Sequence, residues 1–325
     1  MEVGILTQCM KVKTLLKIND GNQRILKSLL FEINTKLNGI NHKFYKLPAC
    51  LDENVPCMVI GANVTHPSQD FKVLPSIAAI TASRNNSFFQ YNVALQLQQP
   101  YQEKILDLEK IIPMHLEAYY QEMKQFPKRI FYYRDGVGET EFPQVICHEI
   151  EPIKKAVFTV TRDENIEITC LIVQKSHNVH LSHKSTNISD TEDTRNYNVK
   201  PGTIVDTTNP PHPEYIDFYL VSHASTDAKG IAKPTRYTCI LNESNFTKNQ
   251  IEELTFYLCH MYGRFPKAVS YPIPTYYADL AAYRGRVILI QAIREKKNTD
   301  FRLSDFEKEW KNFIANMKDH PMFYI

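Results

Sequence analysis

Two kinds of hydrophobic spacing organise this chain. Short, nearly continuous apolar runs at residues 58–62, 77–82, 91–97, 129–133 and 168–173 predict strands, with 129–133 rich in aromatic and β-branched residues. Between them, apolar positions three to four apart predict helices. Residues 22–37 carry Ile25, Leu29 and Ile33 on one face, and residues 102–123 carry Ile105, Leu108, Ile112, Leu116 and Tyr119. A further helix is expected to open at Glu141-Phe142-Pro143-Gln144-Val145. Residues 304–317 fit a capped amphipathic helix, with Ser304 as N-cap, Glu307 three later, and Phe306, Trp310, Phe313 and Ile314 on one face. The basic stretch ahead of residue 22 reads as a connection broken by Asn and Gly, residues 176–200 as a polar loop, and residues 295–300 as a charged hinge.

Strand, strand, strand, helix, strand, helix, strand is the order of an α/β core. With 43% hydrophobic and 23% charged residues, the chain has an ordinary globular composition. Thirty-eight Lys plus Arg against 36 Asp plus Glu leave a net charge of only +2. That balance lacks the basic excess which phosphate contacts usually bring, so composition alone does not point to nucleic acid. The seven cysteines, at 9, 50, 57, 147, 170, 239 and 259, form no C-x-x-C pair. They are expected to be reduced core residues of a cytoplasmic, or alternatively nuclear, protein. No apolar run approaches the ~20 residues of a membrane span, and no basic-then-apolar leader opens the chain, so neither a membrane partner nor secretion is expected.

The motifs change this picture. Cys57-Met58-Val59-Ile60 runs into Gly61-Ala62-Asn63-Val64-Thr65-His66-Pro67, and Arg129-Ile130-Phe131-Tyr132-Tyr133 into Arg134-Asp135-Gly136-Val137. Pro201-Gly202-Thr203-Ile204-Val205-Asp206, Phe218-Tyr219-Leu220-Val221-Ser222-His223-Ala224 and Ser270-Tyr271-Pro272 come next, then Tyr276-Tyr277-Ala278-Asp279-Leu280-Ala281-Ala282-Tyr283-Arg284. In this order, from about Gly4 to about Val287, they resemble the PIWI domain of Argonaute proteins. The resemblance implies a ribonuclease H-like α/β fold, with residues 51–325 as the PIWI domain, its tail 288–325 divergent. It also implies that residues 1–50 are the C-terminal part of a MID-like segment, too small for a comfortable core of its own and expected to pack on the PIWI domain.

The family cuts RNA with carboxylates that gather two divalent cations ~4 Å apart. Carried over motif by motif, the catalytic positions are Asn63, Glu103, Asp135 and Asp279, with Asp107 a competitor for the place of Glu103. Asp135 and Asp279 are the implied metal ligands, with Mg²⁺ or Mn²⁺ the implied cofactor. The family pattern has Asp where Asn63 stands, and a fourth Asp, like Asp279, occurs in the family beside the more usual His. An amide oxygen brings no negative charge, so metal occupancy and cleavage are expected to fall by orders of magnitude.

The resemblance also implies partners: a small single-stranded guide RNA and its complementary target. The guide's 5′ phosphate would be held by Gln8, Cys9, Lys36 and Arg284, near the carboxylate of Ile325 if the tail folds back. Its backbone would be held by Lys175, His177, Lys233, Arg264, Ser270 and Tyr276. Glu32 stands where the family has Lys; four residues before Lys36, it fits a solvated helix-face pair equally well. Three functions stay open: a guide-binding silencing protein without efficient slicing, an active metal-dependent endoribonuclease, or an interaction module. For the last, Tyr119, Tyr120 and Phe126 could form a surface accepting tryptophans of silencing proteins.

Overall fold

The computed structural model describes residues 6–68, 74–182, 198–206, 213–224, 231–296, 310, 311, 315 and 322–325. Its strands are β1 (Cys57–Thr65), β2 (Ser76–Ser83), β3 (Tyr91–Gln98), β4 (Arg129–Asp135), β5 (Glu167–Gln174), β6 (Thr203–Asp206), β7 (Ile216–Val221) and β8 (Thr235–Asn242). They form one eight-stranded sheet in the order β3-β2-β1-β4-β5-β8-β7-β6. The pairs β1–β4 and β4–β5 are parallel, and every other neighbouring pair is antiparallel. Parallel neighbours need long crossovers. Helix α3 (Leu108–Met123) supplies the first, and α4 (Phe142–Val145), a π turn (Ile146–Ile150) and α5 (Glu151–Thr161) the second.

Alternation along the strands divides the core. Met58, Ile60, Ala62 and Val64 of β1 face α3 and α5 together with Ile130 and Tyr132 of β4. Cys57 and Val59 of β1 and Phe131 and Tyr133 of β4 point to the other face, covered by α6 (Lys248–Leu258). Helix α7 (Ile273–Lys296) also lies on that second face, across β1 and β2. Its first turn presses so closely on β1 that a Cβ on Gly61 would stand 2.0 Å from the Pro274 carbonyl carbon. Glycine at 61 is therefore what lets α7 reach the centre of the sheet.

The N-terminal segment forms α1 (Val12–Asn19) and α2 (Gln23–Lys36), the latter capped by Asn22, whose side chain accepts from the Ile25 N–H. It docks on the loop after α6. Thr35 Oγ1 donates to the Gly263 carbonyl at 3.0 Å and Asn41 Nδ2 to the same oxygen at 2.8 Å. Thr35 itself is fully buried.

Three expectations are corrected. Residues 12–19 are helical rather than a plain connection: the local i,i+4 bonds form although no side chain of α1 is buried. The third helix starts at Leu108, not 102; Ile105 keeps the helical spacing yet is buried from a non-helical segment, and Asp107 adopts φ 56 at the N-cap. Of the hinge expected at 295–300, residues 295 and 296 instead continue α7, and 297–300 lie outside the described residues. Strands β6, β7 and β8 extend the sheet beyond the predicted strands. The expected helix at 304–317 lies outside the described residues except for Trp310, Lys311 and Ala315, and most of the 176–200 loop does so as well. Trp310 is buried, its indole N–H donating to the Leu95 carbonyl at 3.4 Å. Among the described residues no helix is long and apolar enough to cross a membrane, and the seven cysteines are free, Cys9 and Cys147 exposed.

Candidate functional site

The sheet's parallel centre and α7 bring the four carried-over positions together. Ala62 of β1 pairs with Arg134 of β4, so the next residues, Asn63 and Asp135, lie side by side on the face that α7 covers. Asp279 reaches them from α7: Asn63 Nδ2 donates to Asp279 Oδ1 at 3.0 Å. Gly136, with φ 87, turns the chain away directly after Asp135. A Cβ there would lie 3.6 Å from Glu103 Oε1 and 3.9 Å from Asn63 Oδ1, so Glu103 borders the same cleft from the segment before α3. Asp107 does not: its carboxylate accepts from Lys110 Nζ at 2.8 Å and Gln96 Nε2 at 3.0 Å on the helix's outer side.

Lys175, one residue past β5, stands in the same cleft. Its ammonium lies 2.5 Å from Asp135 Oδ2 and 3.9 Å from Asp279 Oδ2, with the ring of Tyr271 4.1 Å beneath it. In this structure its charge faces the cleft's own carboxylates. The Tyr271 hydroxyl donates to Asp279 Oδ2 at 2.9 Å. Burial pushes the Asp135 carboxyl above its ordinary range, against the opposing pull of Lys175.

Ribonuclease H-like PIWI folds commonly use divalent metals, and Mg²⁺ takes several hard oxygen ligands whose negative charge offsets its own. Here Asn63 gives its N–H to Asp279, Lys175 neutralises Asp135, and Glu103 is held by Arg134 and His66. Among the described residues, no three His, Cys, Asp or Glu side chains gather in a set that could hold a metal ion. The donor set as arranged does not fit a pair of divalent ions.

The framework behind Glu103 was not foreseen from sequence. Arg134, fully buried on the opposite face of β4, pairs with Glu103 Oε1 at 3.0 Å and with Glu149 Oε2 at 3.1 Å. Glu149 sits in the π turn and also accepts from Tyr132 Oη at 2.7 Å and from the Ile105 N–H at 3.3 Å. The ring of His66 bridges Ser76 Oγ at 2.8 Å and Glu103 Oε2 at 2.7 Å. The usable signal was the Arg134-Asp135 dipeptide itself: alternation on a buried strand must send one of the two charges into the apolar layer, where it needs an anion.

A second cluster joins the N-terminal segment to the sheet. Lys36 Nζ donates to Gln8 Oε1 at 2.7 Å and to the Thr7 carbonyl at 3.2 Å. Burial lowers the Lys36 pKa; Glu32 opposes this, and Arg264 and Arg284 add to it, so these charges and Cys9 share one neighbourhood. Glu32 lies 2.9 Å from Arg264 and 3.9 Å from Lys36, facing the cluster's interior rather than forming only a surface helix pair. The chain end is buried too, with Met322 to Ile325 packed in the cluster of Tyr277, Ala278 and Ala281.

The remaining backbone positions divide. His177 Nε2 lies 2.9 Å from the Pro234 carbonyl with its ring edge-on to Tyr219, and Lys233 beside them is exposed. The Ser270 carbonyl accepts from Thr235 Oγ1 at 2.8 Å, at the same end of β8. Tyr276 is half-buried in an aromatic stack, 5.0 Å from Tyr262 and 4.9 Å from Tyr271, and serves the core there. Of the aromatic trio expected to accept tryptophans, Tyr119 is corrected: it is fully buried, and its hydroxyl donates to Asn86 Oδ1 at 2.7 Å. Tyr120 and Phe126 remain paired nearer the surface, 4.8 Å apart.

Residues 1–289 match the family model described as the Piwi domain. The chain is 38% identical over 328 residues to argonaute-2 of Drosophila melanogaster, covering 100% of this chain and 26% of the relative. It is 34% identical to argonaute 7 of Arabidopsis thaliana, covering 88% of this chain and 28% of the relative. The chain thus spans roughly a quarter of the length of the curated relatives it matches. Among solved structures, the Kluyveromyces polysporus Argonaute with a guide RNA superposes with a TM-score of 0.74 at 26% identity, over 92% of this chain and 34% of that one. The C-terminal lobe of a budding yeast Argonaute gives 0.73 at 26% identity, over 92% of this chain and 60% of that one. Sheet order, motif placement and these likenesses agree: the chain belongs to the Argonaute/PIWI family.

Proposed function

We propose that this chain holds a small single-stranded guide RNA and its complementary target for RNA-mediated silencing, without efficient slicing of the target. The observation that carries this reading is the hydrogen bond from Asn63 Nδ2 to Asp279 Oδ1. Where the family pattern places a charge-bearing ligand, this chain presents an N–H donor and uses it to satisfy a neighbouring carboxylate. Gln8, Lys36, Arg264 and Arg284 support the guide-holding half of the proposal, since a terminal phosphate calls for clustered cations and oriented donors. Glu32 inside that cluster makes the hold weak and sensitive to salt. The exposed edge of Tyr120 with Phe126 is the place where a tryptophan-bearing silencing protein would dock.

The test is a gel-shift series with a 5′-phosphorylated guide and a matched, labelled target in Mg²⁺. Retention of intact target in a guide-dependent complex is the expected result. No guide-dependent retention at low salt would remove the binding half of the reading. Release of cut target would favour the active endoribonuclease instead, for which the closeness of Asp135 and Asp279 about Lys175 is the supporting observation.

A further inference from the structure

We propose that Lys175 is the resident cation of the cleft, its ammonium clasping Asp135 of β4 and Asp279 of α7 in place of a divalent ion. The inference deepens the non-slicing reading above and rests on it. Three features of the side chain's surroundings carry the argument. The ammonium touches Asp135 at 2.5 Å, stands 3.9 Å from Asp279, and lies over the Tyr271 ring at 4.1 Å, so two anions and a π face converge on one positive charge. Asp279 is otherwise satisfied by donors, the Asn63 amide at 3.0 Å and the Tyr271 hydroxyl at 2.9 Å. Asp135 is nearly inaccessible to solvent, at 2%, and a buried carboxylate needs a fixed cationic partner.

Asn63 and Lys175 are then two halves of one solution. A carboxylate at position 63 would face the Asp279 carboxylate with no donor between them, so the group would call for a further cation or a shared proton. A neutral amide lowers the negative charge until a single ammonium suffices. With two carboxylates against one ammonium, the Asp135–Asp279 pair keeps one net negative charge, too little to draw in two dications. Lys175 committed in this way is also withheld from RNA phosphates.

The experiment uses the full chain, titrated with Mn²⁺ alone by calorimetry and by thermal melting, as the unmodified protein, Lys175→Met and Asp135→Asn/Lys175→Met. Release of the carboxylates should tighten Mn²⁺ binding at least about tenfold in Lys175→Met and make its melting temperature rise with Mn²⁺. The unmodified protein should show neither effect, and the double variant, which lacks the second charge, should lose the gain. The salt slope of single-stranded RNA affinity should be the same in the unmodified protein and Lys175→Met. Equal Mn²⁺ binding by those two proteins overturns the inference. So does a drop in RNA affinity with the salt slope reduced by about one, the mark of a phosphate contact. If Lys175→Met fails to fold, Lys175→Gln is read by the same criteria. Slicing by the unmodified chain would defeat the reading beneath. An unmodified chain that does not slice, with no Mn²⁺ gain in Lys175→Met, would defeat this inference alone.

Discussion

Glu32 Oε1 lies 2.9 Å from Arg264 Nη2, joining α2 to the loop that leads into α7. Glu32 thereby sits, as an anion, among the cations proposed to take a guide's 5′ phosphate. Glu32→Gln is expected to raise affinity for 5′-phosphorylated RNA several-fold at low salt, by roughly the 1 kcal/mol attributed to a partly exposed ion pair, and to leave unphosphorylated RNA unchanged. Fluorescence anisotropy with the two RNAs checks this. In the same assay Arg284→Ala should erase any preference for the phosphorylated end. Equal gains for both RNAs in Glu32→Gln would mean that the carboxylate does not face the phosphate.

A second prediction concerns the charges buried beneath the cleft. Glu149 is 2% exposed and provides Arg134 with a carboxylate inside an otherwise apolar layer. Removing one member of a buried pair leaves the other uncompensated, at a cost of roughly 3–5 kcal/mol. Glu149→Ala should therefore lower stability by about that amount in urea unfolding, and Glu149→Gln, which keeps an acceptor for Tyr132 and Arg134, by clearly less. A loss below about 1 kcal/mol in Glu149→Ala would show that Glu103 alone satisfies Arg134.

His115, on the buried side of α3, supplies the pH dependence. Burial pushes its pKa down to about 4, whereas in the unfolded chain it titrates near ~6.5. The folded value is the lower one, so the unfolded state takes up the proton first as pH falls. The contribution is full above the unfolded value and is lost as pH drops toward the folded one. Between about pH 7.5 and about pH 5 the loss is roughly 2 kcal/mol. His115→Leu should lack this share of the decline. The comparison is the urea midpoint of the protein minus that of the variant, which should fall from the higher pH to the lower.

How much of this was legible in the sequence depends on the length scale of the forces involved. β1, β2, β3, β4 and β5 were each predicted to within three residues at either end, because buried strands of a central sheet are written as apolar runs. Glu103 was assigned to a helix because Ile105 and Leu108 keep helical spacing. Its segment is instead non-helical and bonded to partners far along the chain, Arg134 and Glu149. Lys175 was assigned to the guide backbone through the family resemblance, and a lone lysine after a strand carries no local sign of its partners within the chain. Asp135 and Asp279, 40 and 104 residues away in sequence, decide where its charge goes. Tyr119 continues the apolar stripe of α3 and is buried, whereas Tyr120, one position on and about 100° round the helix, is exposed.

Restoring a carboxylate at the first strand should reverse the donor's role. Asn63→Asp would place a second negative group 3.0 Å from Asp279 Oδ1, where the amide now donates, and so create demand for a bridging cation. In calorimetry this variant should bind Mn²⁺ at least about tenfold more tightly than the unmodified chain, and Asn63→Asp/Lys175→Met more tightly still. Mn²⁺ binding unchanged in both would mean that position 63 does not govern the cleft's charge.

The most direct measurement is single-turnover cleavage of a labelled target by the guide-loaded chain in Mg²⁺, run beside Asp135→Ala. The account predicts no product from the unmodified chain above the level of Asp135→Ala. Robust Mg²⁺-dependent cutting by the unmodified chain, abolished in Asp135→Ala, would contradict it.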